Sequence, residues 1–233
     1  MKVEIWSDVM CPFCYIGKRR FENALQQLPF KDSVEVEWKS FQLDPTVQHE
    51  PGKSIHQYLA GRKGFSVEKA KELNDHVTGM AAAEGLQYNF DKAIVANSFD
   101  AHRFSHLATQ HGKGDAAEES LFKAYFTEGK NIADKEILTQ LGTDIGLDGA
   151  EVKKVLDENA YALNVQQDIA EAEALGVRGV PFFVIDRKYA VSGAQSAEVF
   201  SQALNTAFAE WKKENNQFTT IPGEVCSTDG DCK

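Results

Sequence analysis

The chain has 233 residues, of which 42% are hydrophobic and 26% charged, and its formal net charge is −10. That length suffices for one large domain, or for one core that carries a substantial insertion. The acidic balance disfavours general binding to nucleic-acid phosphates and to anionic membranes, and no apolar run approaches the roughly eighteen residues that would read as a membrane span.

Residues 1–10 contain one Lys together with Glu4 and Asp8 and lack the apolar centre of a signal peptide, so a cytoplasmic location is expected. In a reducing compartment, Cys11, Cys14, Cys226 and Cys232 read as redox, catalytic or metal-binding groups rather than as a structural disulfide framework.

Residues 2–8 predict a short strand. After Cys11-Pro12-Phe13-Cys14 a helical pattern runs to about Leu28, with Phe13, Ile16, Phe21, Leu25 and Leu28 near one face. Pro12 suits a first-turn position, where its missing N–H has no partner to lose. Val34, Val36 and Trp38 alternate with Glu35, Glu37 and Lys39 in a half-buried strand, continued by Phe41 and Leu43 and ended by Asp44-Pro45. The order strand, helix, strand is that of a parallel βαβ unit.

From about 54 to 160 the pattern is helical. The expected helices are Lys53–Leu59, Val67–Glu84, Phe99–His111, Ala116–Thr127, Lys135–Ile145 and Ala150–Leu156, with glycine-rich breaks near 112–115 and 146–149. A further helix is expected from about Asn159 to Leu175, ended by Gly176. A β-hairpin then follows, Val180–Ile185 and Tyr189–Ser192 around Asp186-Arg187-Lys188, and a last helix from about Ser196 to Lys213. The expected organisation is an α/β core formed by residues 1–50 and 159–213, a helical insertion over 51–158, and a tail over 214–233.

The place of Cys11 indicates the chemistry. A helix N-terminus carries unpaired N–H groups and a partial positive charge, and both stabilise a thiolate, the nucleophile of disulfide exchange. Two intervening residues let the sulfur of Cys14 approach that of Cys11 within one turn, so Cys11 is expected to attack and Cys14 to resolve. Pro12-Phe13 carries no positive charge, which predicts a moderately reactive thiolate. Zinc is the competing reading, but Cys226 and Cys232 are separated by five residues and the CxxC opens a long helix, neither of which suits a structural zinc site.

The segment Ser7-Asp8-Val9-Met10-Cys11-Pro12-Phe13-Cys14-Tyr15-Ile16-Gly17 resembles the active-site region of the DsbA-like thioredoxin-fold family, and most closely its cytoplasmic FrnE-like branch. Gly179-Val180-Pro181-Phe182-Phe183 is similar to that family's second signature, a cis-proline loop facing the CxxC. The resemblance implies a thioredoxin-like fold with a large inserted helical subdomain, and dithiol–disulfide oxidoreductase or isomerase activity. It also implies a cis Pro181 and a Val180 backbone that receives an extended substrate. The implied partners are protein or small-molecule thiols and disulfides, with glutathione a possible electron partner and no other cofactor. FrnE-like proteins resemble this chain in a second C-terminal cysteine pair. Cys226 and Cys232 therefore read either as an internal relay to Cys11-Cys14, or as a passive ring or two free thiols on the tail.

Asn97-Ser98-Phe99-Asp100-Ala101-His102-Arg103 is similar to a recurring segment of FrnE-like proteins whose helices overhang the active site. That makes Asn97 and His102 candidates for lining the substrate groove, against the plainer reading of a capping residue and a surface His. Asp8, three residues before Cys11, is a candidate proton acceptor near Cys14 or simply the end of the strand. His102 and His106 stand one turn apart without a third metal ligand in view. Trp6 and Trp38 read as core. Gly112–Ala117 follows a helix rather than a strand, and Val47 stands where a phosphate loop needs Gly, so neither nucleotide motif holds.

Two other function classes compete with the oxidoreductase. One is a glutathione-dependent isomerase or transferase, similar to the kappa-class transferases and hydroxychromene-carboxylate isomerases, which carry Ser at the first cysteine position. The other is a chaperone-like binding module.

Overall fold

β1 (Lys2–Ser7) runs through a four-stranded sheet of order β2-β1-β3-β4 in the computed structural model, which describes residues 1–48 and 50–215. Cys226 and Cys232 lie outside the described residues. β2 (Glu35–Ser40) lies parallel to β1, in register from Lys2↔Glu35 to Ser7↔Ser40. β3 (Phe182–Ile185) is antiparallel to β1 and forms the hairpin with β4 (Tyr189–Ser192).

A strand paired on both sides and covered on both faces must be apolar or satisfied throughout, and β1 is buried from Val3 to Ser7. Val3 and Ile5 join Phe21, Phe183, Phe200 and Leu204, which places α1 (Pro12–Gln26) and α9 (Ala197–Asn215) on one face. Trp6 packs on the other face with Val184 and with Ala172 of α8 (Ala162–Ala174).

Between β2 and α8 the chain builds the helical insertion: α2 (Ile55–Lys63), α3 (Val67–Ala83), α4 (Phe99–Gln110), α5 (Gly114–Lys123), α6 (Lys135–Asp144) and α7 (Gly149–Asp157). Polar caps start several of these helices. Ser54 and Gln57 form a reciprocal capping box, and Ser66, Asp134 and Asp148 accept first-turn N–H groups. The apolar cluster of the insertion, including Phe104, Leu121, Phe122 and Leu156, also takes in Cys11, Cys14, Tyr15 and Ile16. α1 therefore has two partners: Phe21 and Ala24 meet the sheet, and its first turn meets the insertion. No helix among the described residues is long and apolar enough to cross a membrane.

The helix expected over Lys53–Leu59 runs instead from Ile55 to Lys63, and three other departures have a visible cause. β2 stops at Ser40, because Phe41 N–H makes the last bond to Ser7 O (2.9 Å) and the Asp8 side chain then takes Leu43 N–H (2.7 Å). α5 ends at Lys123 and passes into a π turn, Ala124–Glu128. Gly129 closes that turn at φ 68, where a Cβ would stand 2.5 Å from Lys92 O. α8 begins at Ala162, since Asn159 and Tyr161 adopt left-handed conformations.

Arg103 of α4 sits behind that last turn. It is wholly buried, donates from Nε to Ala160 O (2.8 Å) and from the fork to Val155 O and Leu156 O, and pairs with Asp100 (2.7 Å). A guanidinium at the C-terminus of α7 satisfies orphan carbonyls and complements the helix dipole. Arg103→Leu leaves those carbonyls and Asp100 without their donor and should lower stability by about 3–5 kcal/mol in urea unfolding; a loss under about 1 kcal/mol would contradict this role.

Candidate functional site

Cys11 is the N-cap of α1, with φ −88° and ψ 112°, and Pro12 occupies the first helical position. Its N–H bonds Asp8 O (2.9 Å), and its carbonyl accepts Cys14 N–H (3.0 Å), which sets the two cysteines within one turn. Both are free thiols and both are buried, Cys11 at 4% exposure and Cys14 at 1%. The Cys11 thiol donates to Val180 O (3.4 Å), and the Val180–Pro181 peptide bond is cis. The loop before β3 thus faces the CxxC, although 169 residues separate Cys11 from Val180.

A glycine permits this approach. At Gly17, one turn into α1, a Cβ would stand 2.9 Å from Pro181 Cγ. The insertion holds the other side of the turn. Tyr88 OH donates to Pro12 O (2.6 Å), and its ring stacks near Tyr15 and Phe126. Tyr15, stacked on Phe122, donates from its OH to Glu119 (2.6 Å), within an ionic cluster that includes Lys18 and Arg19. Phe13, 39% exposed, is the side chain of the CxxC turn that faces solvent.

The environment separates the two sulfurs. Burial pushes the Cys14 thiol well up, and the adjacent Cys11 sulfur adds to this, while the Ser7 hydroxyl and the Asp8 backbone N–H offset only part. Cys14 is therefore a thiol at neutral pH. Tyr88 is likewise pushed up, by burial and then by Cys11 and Cys14.

His102 does not line an open groove. It is 2% exposed, on the face of α4 turned toward the β1–α1 loop, with Nε2 3.8 Å from Asp8 Oδ1 and no hydrogen-bond partner. Burial favours its neutral ring, but the Asp8 carboxylate and then Glu118 outweigh this and hold His102 above its ordinary value. Asp8 accepts Met10 N–H at Oδ1 (3.1 Å) and Leu43 N–H at Oδ2 (2.7 Å), so it ties the cysteine loop to the loop after β2.

Asn97 is a tie of the same kind. Its Oδ1 accepts from Gln42 Nε2 and Phe99 N–H, and its Nδ2 donates to Pro45 O and Val47 O. It borders a pocket of about 350 Å³ with Gln42, Pro45 and Phe99. His106 is directed to Ser40 Oγ (3.2 Å) and Asp168 Oδ2 (3.1 Å), whereas His102 faces Asp8, so the two rings have no partner in common. Among the described residues no group of three or more His, Cys, Asp or Glu is placed to hold a metal. Trp6 and Trp38 are core residues, and each indole N–H is bonded, to Asp168 O and Asp115 Oδ1.

A family model described as a DSBA-like thioredoxin domain matches residues 2–205. The uncharacterized protein YwbO of Bacillus subtilis (strain 168) is 32% identical over 205 residues, covering 87% of this chain and 95% of that one. The chain belongs to the DSBA-like thioredoxin family. A probable DsbA oxidoreductase from Streptomyces coelicolor superposes on this DSBA-like chain with TM-score 0.86 and 42% identity, over 100% of this chain and 98% of that one. Two more distant structures share the fold. One is a 2-hydroxychromene-2-carboxylate isomerase (TM-score 0.65, 17% identity, 92% and 98% covered). The other is the cytosolic disulfide reductase DsbM of Pseudomonas aeruginosa with GSH (TM-score 0.62, 17% identity, 92% and 100% covered).

Tyr88, Gly17 and Arg103 were not singled out in the sequence as site or fold determinants. Tyr88 and Arg103 act through backbone partners more than fifty residues away, which no local pattern reveals; Gly17 closes the CxxC segment, and its contact becomes visible only in three dimensions. A group raised above its unfolded value contributes stability that is fully present below about pH 6.5 and is lost as pH rises through the folded value. The stability advantage of wild type over His102→Gln should therefore be widest near pH 5.5 and narrow toward pH 9, as read by urea unfolding; a gap constant across that range would contradict the Asp8–His102 pair.

Proposed function

We propose that this DSBA-like protein is a thiol–disulfide oxidoreductase in which Cys11 attacks and Cys14 resolves. The single observation that carries the reading is the Cys11 sulfur at the N-cap of α1, 3.4 Å from Val180 O in the loop that faces it, with the resolving thiol one turn deeper. As a thiolate, Cys11 attacks a substrate disulfide, forms a mixed disulfide and releases one substrate thiol. Cys14, once deprotonated, attacks the Cys11 sulfur and releases the second. The substrate gains two electrons, and Cys11–Cys14 becomes a disulfide. In reverse, the same steps oxidise a dithiol, and alternation between them gives disulfide isomerisation.

Support for substrate binding comes from the same loop. Val180 N–H has no partner among the described residues, and regular pairing with β1 starts only at Phe182. An extended peptide is therefore expected to add to that backbone as a strand, with Pro181 shaping the approach and Phe13 offering an apolar contact. Protein disulfides and small-molecule disulfides are the proposed substrates. We place the protein in the FrnE-like branch and in the cytoplasm, where glutathione is a candidate electron partner, as the GSH bound to the similarly folded DsbM suggests. Cys14 beside Cys11 favours dithiol exchange over the isomerase or transferase reading. Asn97 and His102 act in this account by shaping the loops around the cysteines. Cys226 and Cys232 are proposed as a second pair that relays electrons to Cys11–Cys14.

Dithiothreitol-driven insulin reduction tests this directly. Cys11→Ser should fall to the uncatalysed background, and Cys14→Ser should stall as a mixed disulfide on Cys11, detectable by intact mass. Cys226→Ser/Cys232→Ser should lose part of the activity. Full activity in Cys11→Ser would overturn the reading.

A further inference from the structure

The loop that faces Cys11 carries a cation that no carboxylate neutralises. We propose that this residue, Arg178, selects the substrate. It receives a carboxylate of the chain that lies along residues 178–180, so the preferred substrates are disulfides with an acidic group beside the reacting sulfur. The inference rests on the roles assigned above to Cys11 and Cys14, and adds the chemical class of what they act on.

Arg178 is exposed and precedes Val180 by two residues, so their Cα atoms are at most about 7.6 Å apart. Val180 O is 3.4 Å from the Cys11 sulfur. The guanidinium therefore works over a span comparable to the Debye length, about 10 Å at 0.1 M salt, where a charge still acts on its neighbours. Its backbone is fixed on both sides. Val177 is buried and its N–H bonds Ala172 O (2.9 Å), while Pro181 is buried and its carbonyl accepts Gly193 N–H (2.8 Å). At Gly179 a Cβ would meet no atom within 4 Å, so the space beside the loop is open to a ligand.

This lack of a partner is particular to Arg178. The sequence has six arginines, and Arg19, Arg20, Arg62, Arg103 and Arg187 each pair with a carboxylate. Arg178 has neither an ion pair nor a hydrogen bond among the described residues. Arg20 donates to Ala194 O (2.7 Å) and Arg62 to Leu43 O, so both reach loops around the site, yet Glu84 and Asp44 neutralise them. The exposed side chains fixed to the cysteine loop are apolar: Phe13, and Leu43, whose N–H bonds Asp8 (2.7 Å). They supply contact area and no charge.

The charge of the whole chain sets what this cation does. At a net charge of −10 the protein repels anions at long range, and Cys11 attacks as an anion. A carboxylate beside the substrate sulfur adds to that repulsion at close range. A guanidinium offsets it and holds a carboxylate through two parallel N–H groups. A neutral disulfide gains nothing from Arg178, and a cationic one is disfavoured by it. The exchange itself is unchanged: Cys11 bonds one substrate sulfur, the substrate S–S bond breaks, and the other half leaves as a thiolate.

The test uses the reduced full-length Cys226→Ser/Cys232→Ser chain and symmetrical disulfides of capped dipeptides that join Cys to Glu, Gln or Lys, in both residue orders. Oxidation is followed by acid quenching and mass analysis, and each rate is divided by that of the same disulfide with 2-mercaptoethanol. In one order the Glu disulfide should react about threefold to fivefold faster than the Gln disulfide, the scale of an exposed ion pair. That ratio should fall to about one in Arg178→Gln, persist in Arg178→Lys and shrink between about 20 mM and about 1 M salt. Arg178→Glu should turn the preference toward the Lys disulfide. Because each variant is judged by a ratio, a general loss of reactivity does not mimic the result. A ratio at or below one in both orders for the parent overturns the inference, and so does a ratio that persists in Arg178→Gln. Oxidation of the Cys11→Ser chain as fast as the parent by the Gln disulfide removes instead the attacking role of Cys11, and the inference with it.

Discussion

At the first turn of α1 a sulfur stands where a hydroxyl or carboxylate ordinarily caps a helix. The unpaired N–H groups and the dipole of that turn favour negative charge, and Pro12-Phe13 adds no cation to them. Every other feature of the site keeps that turn in place. β1 delivers the chain to it, Asp8 fastens the delivery to the loop after β2, and Gly17 leaves room for Pro181 to press against the helix from the far side. Cys14 is held one turn deeper, where burial pushes its thiol well up.

The helical insertion belongs to the site as much as the sheet does. Its apolar cluster takes in both cysteines, Tyr88 fixes the carbonyl of Pro12, and Tyr15 with Lys18 and Arg19 links α1 to Glu119 of α5. These ties act in sum. A net contribution of about 1 kcal/mol per hydrogen bond means that no single one holds the turn. The insertion also meets β2 across a small space, where His102, Ser105, His106 and Glu118 face Trp38, Lys39 and Ser40.

Much of this was legible in the residues themselves. Alternation in Val34–Lys39, the hairpin around Asp186–Lys188 and the CxxC between a strand and a helix required only local patterns, and together with the Val180-Pro181 segment they indicated an α/β fold of the DsbA-like kind. Local patterns misplaced the features whose causes lie far along the chain. Phe41 and Leu43 continue the period of β2 past Ser40, whereas in the structure Asp8 takes the Leu43 N–H. The helical pattern extends back to Asn159, and nothing near it announces Arg103, 56 positions before it, as the donor to that turn. For His102 the residues leave groove lining and a surface side chain both open, because a helix face cannot be assigned to solvent or core until its neighbour is known, and here the neighbour is the Asp8 loop.

The proposed oxidoreductase chemistry requires Cys11 and Cys14 to act as one two-electron couple. Equilibration of the full-length chain across a series of glutathione redox buffers, followed by acid quenching, alkylation and mass analysis of the segment that carries both cysteines, tests it most directly. The account predicts a reversible transition between dithiol and an internal Cys11–Cys14 disulfide, with little glutathione left on Cys11 at any ratio. Stable accumulation of glutathione on Cys11 without the internal bond, at every ratio, would contradict it.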